Sequence, residues 1–302
     1  MVGSATEEEP VRVADTDIQA RRLLAGLVGR GITLSRTPAM HVAEAERQGL
    51  SGDYRLLDMD APENSGLTLA AVLDRAEADG FDGLNVTYPF KIEVIDHLDA
   101  LSDNARAVGA VNTVVFAEGR RTGHNTDLWG FAESFRRGLP DAETSHVLLL
   151  GAGGAGVAVA HALAQSGVSR LSILDSDTGR ADALAGALTA THPTFRAAAV
   201  GDAARLFDTD RPDGVVNATP MGMAKLPGTA IDTGLLGPDQ WVADIVYFPL
   251  ETRLLAEARD RGCRVLPGSG MAVFQAVRAF ELFTGRPACP DEMKATFDAF
   301  AT

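Results

Sequence analysis

The strongest chemical signal in this chain is Gly151-x-Gly153-x-x-Gly156, which follows an unbroken apolar run over residues 147–150 and opens a segment rich in small residues. The spacing suits a dinucleotide. Gly151 permits a tight turn, Gly153 lets the backbone approach a pyrophosphate, and Gly156 lets the helix pack on its strand. Ala152, Gly154 and Ala155 complete the turn, and the first N–H groups of the helix are free for phosphate. Asp175 stands nineteen residues past Gly156, after a second apolar run over 170–174, where an acidic side chain meets the adenosine ribose hydroxyls. Residues 175–178 contain no Arg or Lys to neutralise a 2′-phosphate, which favours NAD. Arg180, just beyond them, counts among the expected cofactor contacts.

Three further positions carry candidate chemistry. Lys91 closes the stretch 83–91, in which a strand ends in polar residues and Pro89 blocks its continuation, and reads as lying just inside the following helix. It is a surface lysine, or else a proton acceptor, since the positive helix end and burial both favour a neutral amine. Asp127 precedes a helix over 128–137 and alone reads as an N-cap; its meaning depends on Lys91. Ser35 and Thr37 flank the start of a helix reaching about residue 49, with Pro38 suited to its first turn. Two readings stand for them: helix caps, or a pair of hydroxyls gripping a carboxylate.

The elements that must position these groups alternate between helix and strand, so the expected class is α/β. Strands are expected early in 22–34, at 54–57, ending within 83–91 ahead of Pro89, and at 108–116, 147–150, 170–174, 214–216 and 241–247, and helices at 67–79, 181–190 and 272–283, with a loop at 267–271 and Gln275 near the start of the last helix. The formal charge of -14 disfavours nucleic acid and anionic membrane surfaces as partners. Cys263 and Cys289 are isolated, and the six histidines lack metal-ligand spacing, so no metal is expected and a reducing, cytoplasmic setting is. No run approaches the length of a membrane helix, and the acidic residues 1–10 do not resemble a signal peptide. Residues 1–17 are expected to be a disordered tail. Oligomeric state, monomer or homodimer, is not legible.

Taken together, several motifs resemble the shikimate/quinate dehydrogenase family: Ser35-Arg36-Thr37-Pro38, Asn85-Val86-Thr87-Tyr88-Pro89-Phe90-Lys91, Gly109-Ala110-Val111-Asn112-Thr113, Asn125-Thr126-Asp127, the glycine turn, Asn217-Ala218-Thr219-Pro220-Met221-Gly222-Met223, and Gly270-Met271 through Gln275. The resemblance covers the chain from about Leu24. It implies two lobes with a cleft between them: a substrate lobe from 18–126 completed by 271–302, and a Rossmann-type doubly wound lobe from 127–270. It implies Lys91 and Asp127 as the catalytic pair, Ser35 and Thr37 as the carboxylate grip, and Asn85, Thr87, Asn112, Gln275 and Tyr247 as further substrate contacts. Thr219, Met221 and Met271 are implied to lie near the nicotinamide. The implied reaction moves a hydride between NAD and a ring secondary alcohol of quinate or shikimate, giving 3-dehydroquinate or 3-dehydroshikimate. Thr37, where shikimate-only members typically carry a second serine, resembles members that also accept quinate. Alternatives are an aminoshikimate or aminoquinate dehydrogenase of the same fold, and a non-catalytic ligand-sensing regulator.

Overall fold

In the computed structural model, which describes residues 22–301, the chain builds two six-stranded sheets. The expected tail at 1–17 lies outside the described residues. The first sheet runs in the order β2-β1-β3-β5-β6-β4, from β1 (Arg22–Gly29), β2 (Ser51–Asp58), β3 (Gly83–Val86), β4 (Ala100–Leu101), β5 (Thr113–Ala117) and β6 (Arg120–His124). β1 pairs in parallel with β2 and β3, while β5 runs antiparallel to β3 and β6. Alternation along β1 sends Leu24 and Val28 to one face, under α2 (Leu69–Ala78), and Leu23, Ala25 and Leu27 to the other. That second face is covered by α1 (Thr37–Arg47) and by two helices from the far end of the chain, α9 (Ser269–Thr284) and α10 (Pro290–Asp298).

The second sheet is wholly parallel, in the order β12-β11-β10-β7-β8-β9. Its strands are β7 (His146–Leu150), β8 (Arg170–Leu174), β9 (Arg196–Ala199), β10 (Gly214–Asn217), β11 (Trp241–Asp244) and β12 (Arg264–Leu266). The central strands β7 and β10 are buried along their whole length, as expected of strands covered on both sides by helices. Those helices are α5 (Gly154–Gln165), α6 (Thr178–Thr191), α7 (Ala203–Thr209) and α8 (Arg253–Asp260). The chain winds outward from β7 through β8 to β9, then returns to β10 and winds the other way. The switch point between β7 and β10 is where such sheets bind ligands. The fold is therefore α/β with a Rossmann-like half, and no helix among the described residues is long and apolar enough to cross a membrane.

Several boundaries differ from the sequence expectation. The strand expected over 108–116 begins only at Thr113, because Val108 ends α3 (Asp103–Val108) and Gly109 closes that helix in the left-handed conformation at φ 69°. The strand expected over 241–247 stops at Asp244, whose carboxylate accepts the Val246 N–H and turns the chain. The loop expected at 267–271 is already helix from Ser269, so Met271 lies inside α9.

His41 exposes none of its surface, neither ring nitrogen has a partner, and burial lowers its pKa to about 3. Between the ordinary histidine value and about 3, the unfolded chain binds a proton that the folded one excludes, so stability falls as pH drops through that window. The expected slope from this residue is about 1.4 kcal/mol per pH unit. His41→Phe, which keeps a ring beside Tyr54 and Phe280, should flatten it; denaturant midpoints between pH 4 and 7 are the measurement, and an unchanged slope would exclude His41 as the source.

Candidate active site

The residues expected to meet the ligand are scattered over the sequence, yet Ser35, Thr37, Asn85, Thr87, Lys91, Asn112, Asp127, Tyr247 and Gln275 all line one cavity of about 130 Å³. Leu27, Val86, Ala272 and Ala276 supply its apolar wall. A second cavity of about 370 Å³ adjoins it, sharing Ser35, Thr37, Tyr247 and Gln275, and reaches Met223 beyond β10. The cleft thus runs from the first sheet towards the carboxyl ends of the second.

Lys91 Nζ donates to Asp127 Oδ2 at 2.8 Å, with 33% of the lysine side chain and 8% of the aspartate side chain exposed. Neither residue sits as its local sequence suggests. Lys91 is in a turn ahead of a short 3-10 segment, Glu93–His97, and not inside an α-helix, so no helix dipole acts on it as expected. Asp127 is not the N-cap of α4 (Thr126–Gly138): Asn125 holds that place and accepts the Leu128 N–H at 3.0 Å. Relieved of capping, the Asp127 carboxylate is available to Lys91.

Ser35 and Thr37 do not hold the N-cap place of α1 either. Its N-cap is Arg36, with no side-chain capping bond, and Ser35 Oγ accepts only the Thr37 N–H at 3.3 Å. Ser35 thus meets the first N–H of the helix, a weak capping contact, while Ser35 and Thr37 both also line the cavity. Arg36, in the middle of this motif, ties the turn in place. Its guanidinium donates to the carbonyls of Phe297 and Phe300 at 2.8 Å each and stacks on Phe248 at 4.3 Å. Tyr247 belongs to the same aromatic group, 5.0 Å from Phe248 and 6.0 Å from Phe297. A lone basic residue between two polar ones carries no local signal of such contacts.

Gln275 reaches the cavity because α9 packs hard on α4. A Cβ at Gly130 would lie 2.8 Å from the Met271 carbonyl and 3.0 Å from Gln275 N, and one at Gly270 would lie 2.3 Å from Ser134 Oγ. Glycine at both positions lets the helix bearing Asp127 meet the helix bearing Gln275. Thr126, also unrecognised from sequence, lines the cavity and bonds Asn112 through both its backbone and its hydroxyl.

At the switch point, Gly151 has φ 98°, and a Cβ there would meet Ala218 at 3.0 Å; one at Gly156 would lie 2.1 Å from the Gly151 carbonyl. Around Gly153 and Gly154 the space is open. Unlike α4, α6, α7 and α8, the α5 helix has no side-chain cap, and its first turn carries no acidic residue. Its orphan N–H donors therefore fit a phosphate group of a dinucleotide. Ala152 donates its N–H to Asp175 Oδ2 at 2.7 Å. Ala155 lies one residue into α5. The turn after β10 lies alongside: Thr219 donates N–H and hydroxyl to Asn217 Oδ1 at 3.0 and 2.7 Å, and the Met221 N–H reaches Thr219 Oγ1 at 3.2 Å. Met271 is buried, among the side chains packed on the second sheet.

Asp175 also accepts the Asp177 N–H at 2.8 Å, and Arg180 reaches it at 3.1 Å. Burial raises the Asp175 pKa, but these amide donors and Arg180 outweigh it, and the carboxyl is held below its ordinary range. The absence of a cation from residues 175–178 does not hold in space. Asp177 caps α6, and one helical turn on, Arg180 comes back against Asp175.

Comparison with known proteins agrees with this architecture. Residues 27–114 match the shikimate dehydrogenase substrate binding domain, residues 268–296 the shikimate 5′-dehydrogenase C-terminal domain, and residues 126–185, which contain the glycine turn, the ThiF family. The chain is 53% identical to a shikimate dehydrogenase (NADP(+)) of Streptomyces avermitilis, over 91% of this chain and 94% of that one. It is 50% identical to a quinate/shikimate dehydrogenase (NAD(+)) of Corynebacterium efficiens, over 91% and 97%. Among solved structures, quinate dehydrogenase from Corynebacterium glutamicum in complex with NAD superposes with a TM-score of 0.88 at 48% identity, covering 92% of this chain and 99% of that one. The chain belongs to the shikimate/quinate dehydrogenase family.

Proposed function

We propose that the protein oxidises a ring secondary alcohol of quinate or shikimate, with NAD as the preferred dinucleotide. The observation that carries this reading is the Lys91–Asp127 pair at 2.8 Å in the wall of a cavity whose other polar side chains are hydroxyls and amides. Of the described residues, the substrate lobe takes 22–126 with 271–301, the described part of the expected 18–126 and 271–302, and the cofactor lobe takes 127–270. When bound, the nicotinamide supplies the hydride acceptor. Lys91 Nζ, in its unprotonated form, takes the proton of the reacting hydroxyl while the hydride leaves for that acceptor, and Asp127 holds the amine in place and balances the ammonium charge that forms. Ser35 and Thr37 donate to the substrate carboxylate. Asn85, Thr87, Asn112 and Gln275 orient the ring, and Tyr247 adds a further substrate contact. A compound with a carboxylate at one end and hydroxyls at the other matches this distribution of donors.

Asp175 supports NAD, because an acid at the end of the second strand of such a unit suits the adenosine ribose hydroxyls and would repel a 2′-phosphate. Arg180 opposes that preference by offsetting the charge. Initial rates with quinate, shikimate and their amino analogues, each with NAD and NADP, test the whole reading. Fastest turnover of a hydroxylated acid with NAD is the expected result, whereas preference for an amino substrate or for NADP would overturn the corresponding part. Asp175→Ala should weaken NAD by about tenfold, the value of one or two lost charged hydrogen bonds, and narrow its lead over NADP. Arg180→Ala should widen that lead. If both variants leave the NAD-to-NADP ratio of kcat/KM unmoved, cofactor choice is decided elsewhere.

A further inference from the structure

Asn85 and Asn112 both line the cavity, and a ligand meets either the oxygen or the nitrogen of each amide. One backbone group decides which. The Thr126 N–H can only donate, and it lies 2.7 Å from Asn112 Oδ1. Asn112 Nδ2 consequently donates to Thr126 Oγ1 at 2.9 Å, and Thr113 Oγ1 gives its single hydrogen to Asn112 Oδ1 at 3.2 Å. With that hydrogen used, Thr113 Oγ1 accepts from Asn85 Nδ2 at 2.9 Å. Asn85 Oδ1 therefore points the other way and accepts from Tyr54 Oη at 2.7 Å.

Tyr54 is built to end this relay. It lies on β2, and β1 separates it from β3, but its partner on β1 is Ala25, whose methyl leaves room for the phenol to cross to Asn85. The His41 ring stacks on it at 4.8 Å. Burial pushes the phenol pKa up, so the hydroxyl remains a donor.

Both carbonyl oxygens are occupied within the protein, and the hydrogens a ligand can draw on are amide N–H: the second one on Asn112 Nδ2, and on Asn85 Nδ2 the one that otherwise makes only a long 3.4 Å bond to the Asn112 backbone carbonyl. We infer that Tyr54 and Thr113 are positioning residues that determine specificity: they keep the Asn85 and Asn112 donors towards the cavity, so the ring substituent lodged there must accept a hydrogen bond. A hydroxyl does so; an ammonium, with three donors and no acceptor, cannot. The inference rests on the proposed function only for the class of ligand, a hydroxylated ring acid as against the same acid with an amine in place of a hydroxyl.

Calorimetric binding of shikimate and its amino analogue to the whole protein tests this apart from turnover. The unaltered protein should prefer shikimate by about tenfold or more, the cost of leaving one buried hydrogen-bonding group unpaired. Tyr54→Phe frees Asn85 Oδ1 to turn towards the cavity and should shrink that ratio about tenfold, with NAD affinity unchanged. Thr113→Val, which breaks the relay one link further on, should do the same, while Thr113→Ser, which keeps the hydroxyl, should restore the original ratio and decides the matter if the phenylalanine variant fails to fold. A ratio within twofold of the original in both Tyr54→Phe and Thr113→Val, or an original preference for the amine, overturns the inference. Selective binding with no NAD-linked turnover of any hydroxylated acid would instead overturn the dehydrogenase reading and leave the relay standing.

Discussion

Lys91→Ala is expected to lower kcat by about 10²–10⁴-fold, the contribution of a positioned proton-transfer group, while substrate and NAD still bind. Lys91 is the only lysine or arginine among the residues lining the cavity, and its amine is held by a single carboxylate at 2.8 Å. Nothing else in that wall replaces both the proton acceptor and its counter-charge. The side chain is one-third exposed, so its removal should leave the fold intact. Single-turnover rates together with calorimetric binding separate chemistry from affinity. Activity within tenfold of the unaltered enzyme would remove Lys91 from the proton transfer, and a loss confined to KM would make it a binding residue.

Asp127→Asn is the second large effect: a fall in kcat of about 10²-fold or more, with the melting temperature almost unmoved. The asparagine keeps the shape and one acceptor but loses the charge that steadies the lysine. Stability should hold because Asn125, not Asp127, caps α4. The complementary variant is Asn125→Ala, which removes the bond to the Leu128 N–H and that to the Ala110 carbonyl, and should cost about 1–2 kcal/mol of stability. Exchanged phenotypes, with Asp127→Asn unstable but active, would restore the capping role and undo the catalytic pair. Parallel melting curves and kcat values on the two variants are sufficient.

These expectations arise where local and tertiary evidence part. The glycine turn and the acid after β8 were legible because each role is local. A positive φ at Gly151, the contact of Gly156 with the Gly151 carbonyl and the short step to Asp175 all lie within one βαβ unit. The substrate residues were legible only through the resemblance of whole motifs to a family. Their individual surroundings gave the wrong helix for Lys91, the wrong cap at Asp127 and an unresolved choice at Ser35 and Thr37. Arg180 shows the same limit at smaller scale, since a cation missing from four consecutive residues returned after one helical turn.

By itself, the sequence determined the class of fold, the parallel dinucleotide unit and the residue types available for chemistry, because hydrophobic period, turn glycines and motif spacing act over a few residues. The tertiary structure decided which of those residues act together. Lys91 and Asp127 meet across 36 positions, and Tyr54 crosses a strand to reach Asn85, 31 positions away. The physical reason is that a hydrogen bond's polarity and a carboxylate's freedom depend on which partners the packing brings within 3 Å, and packing joins segments that no local pattern connects.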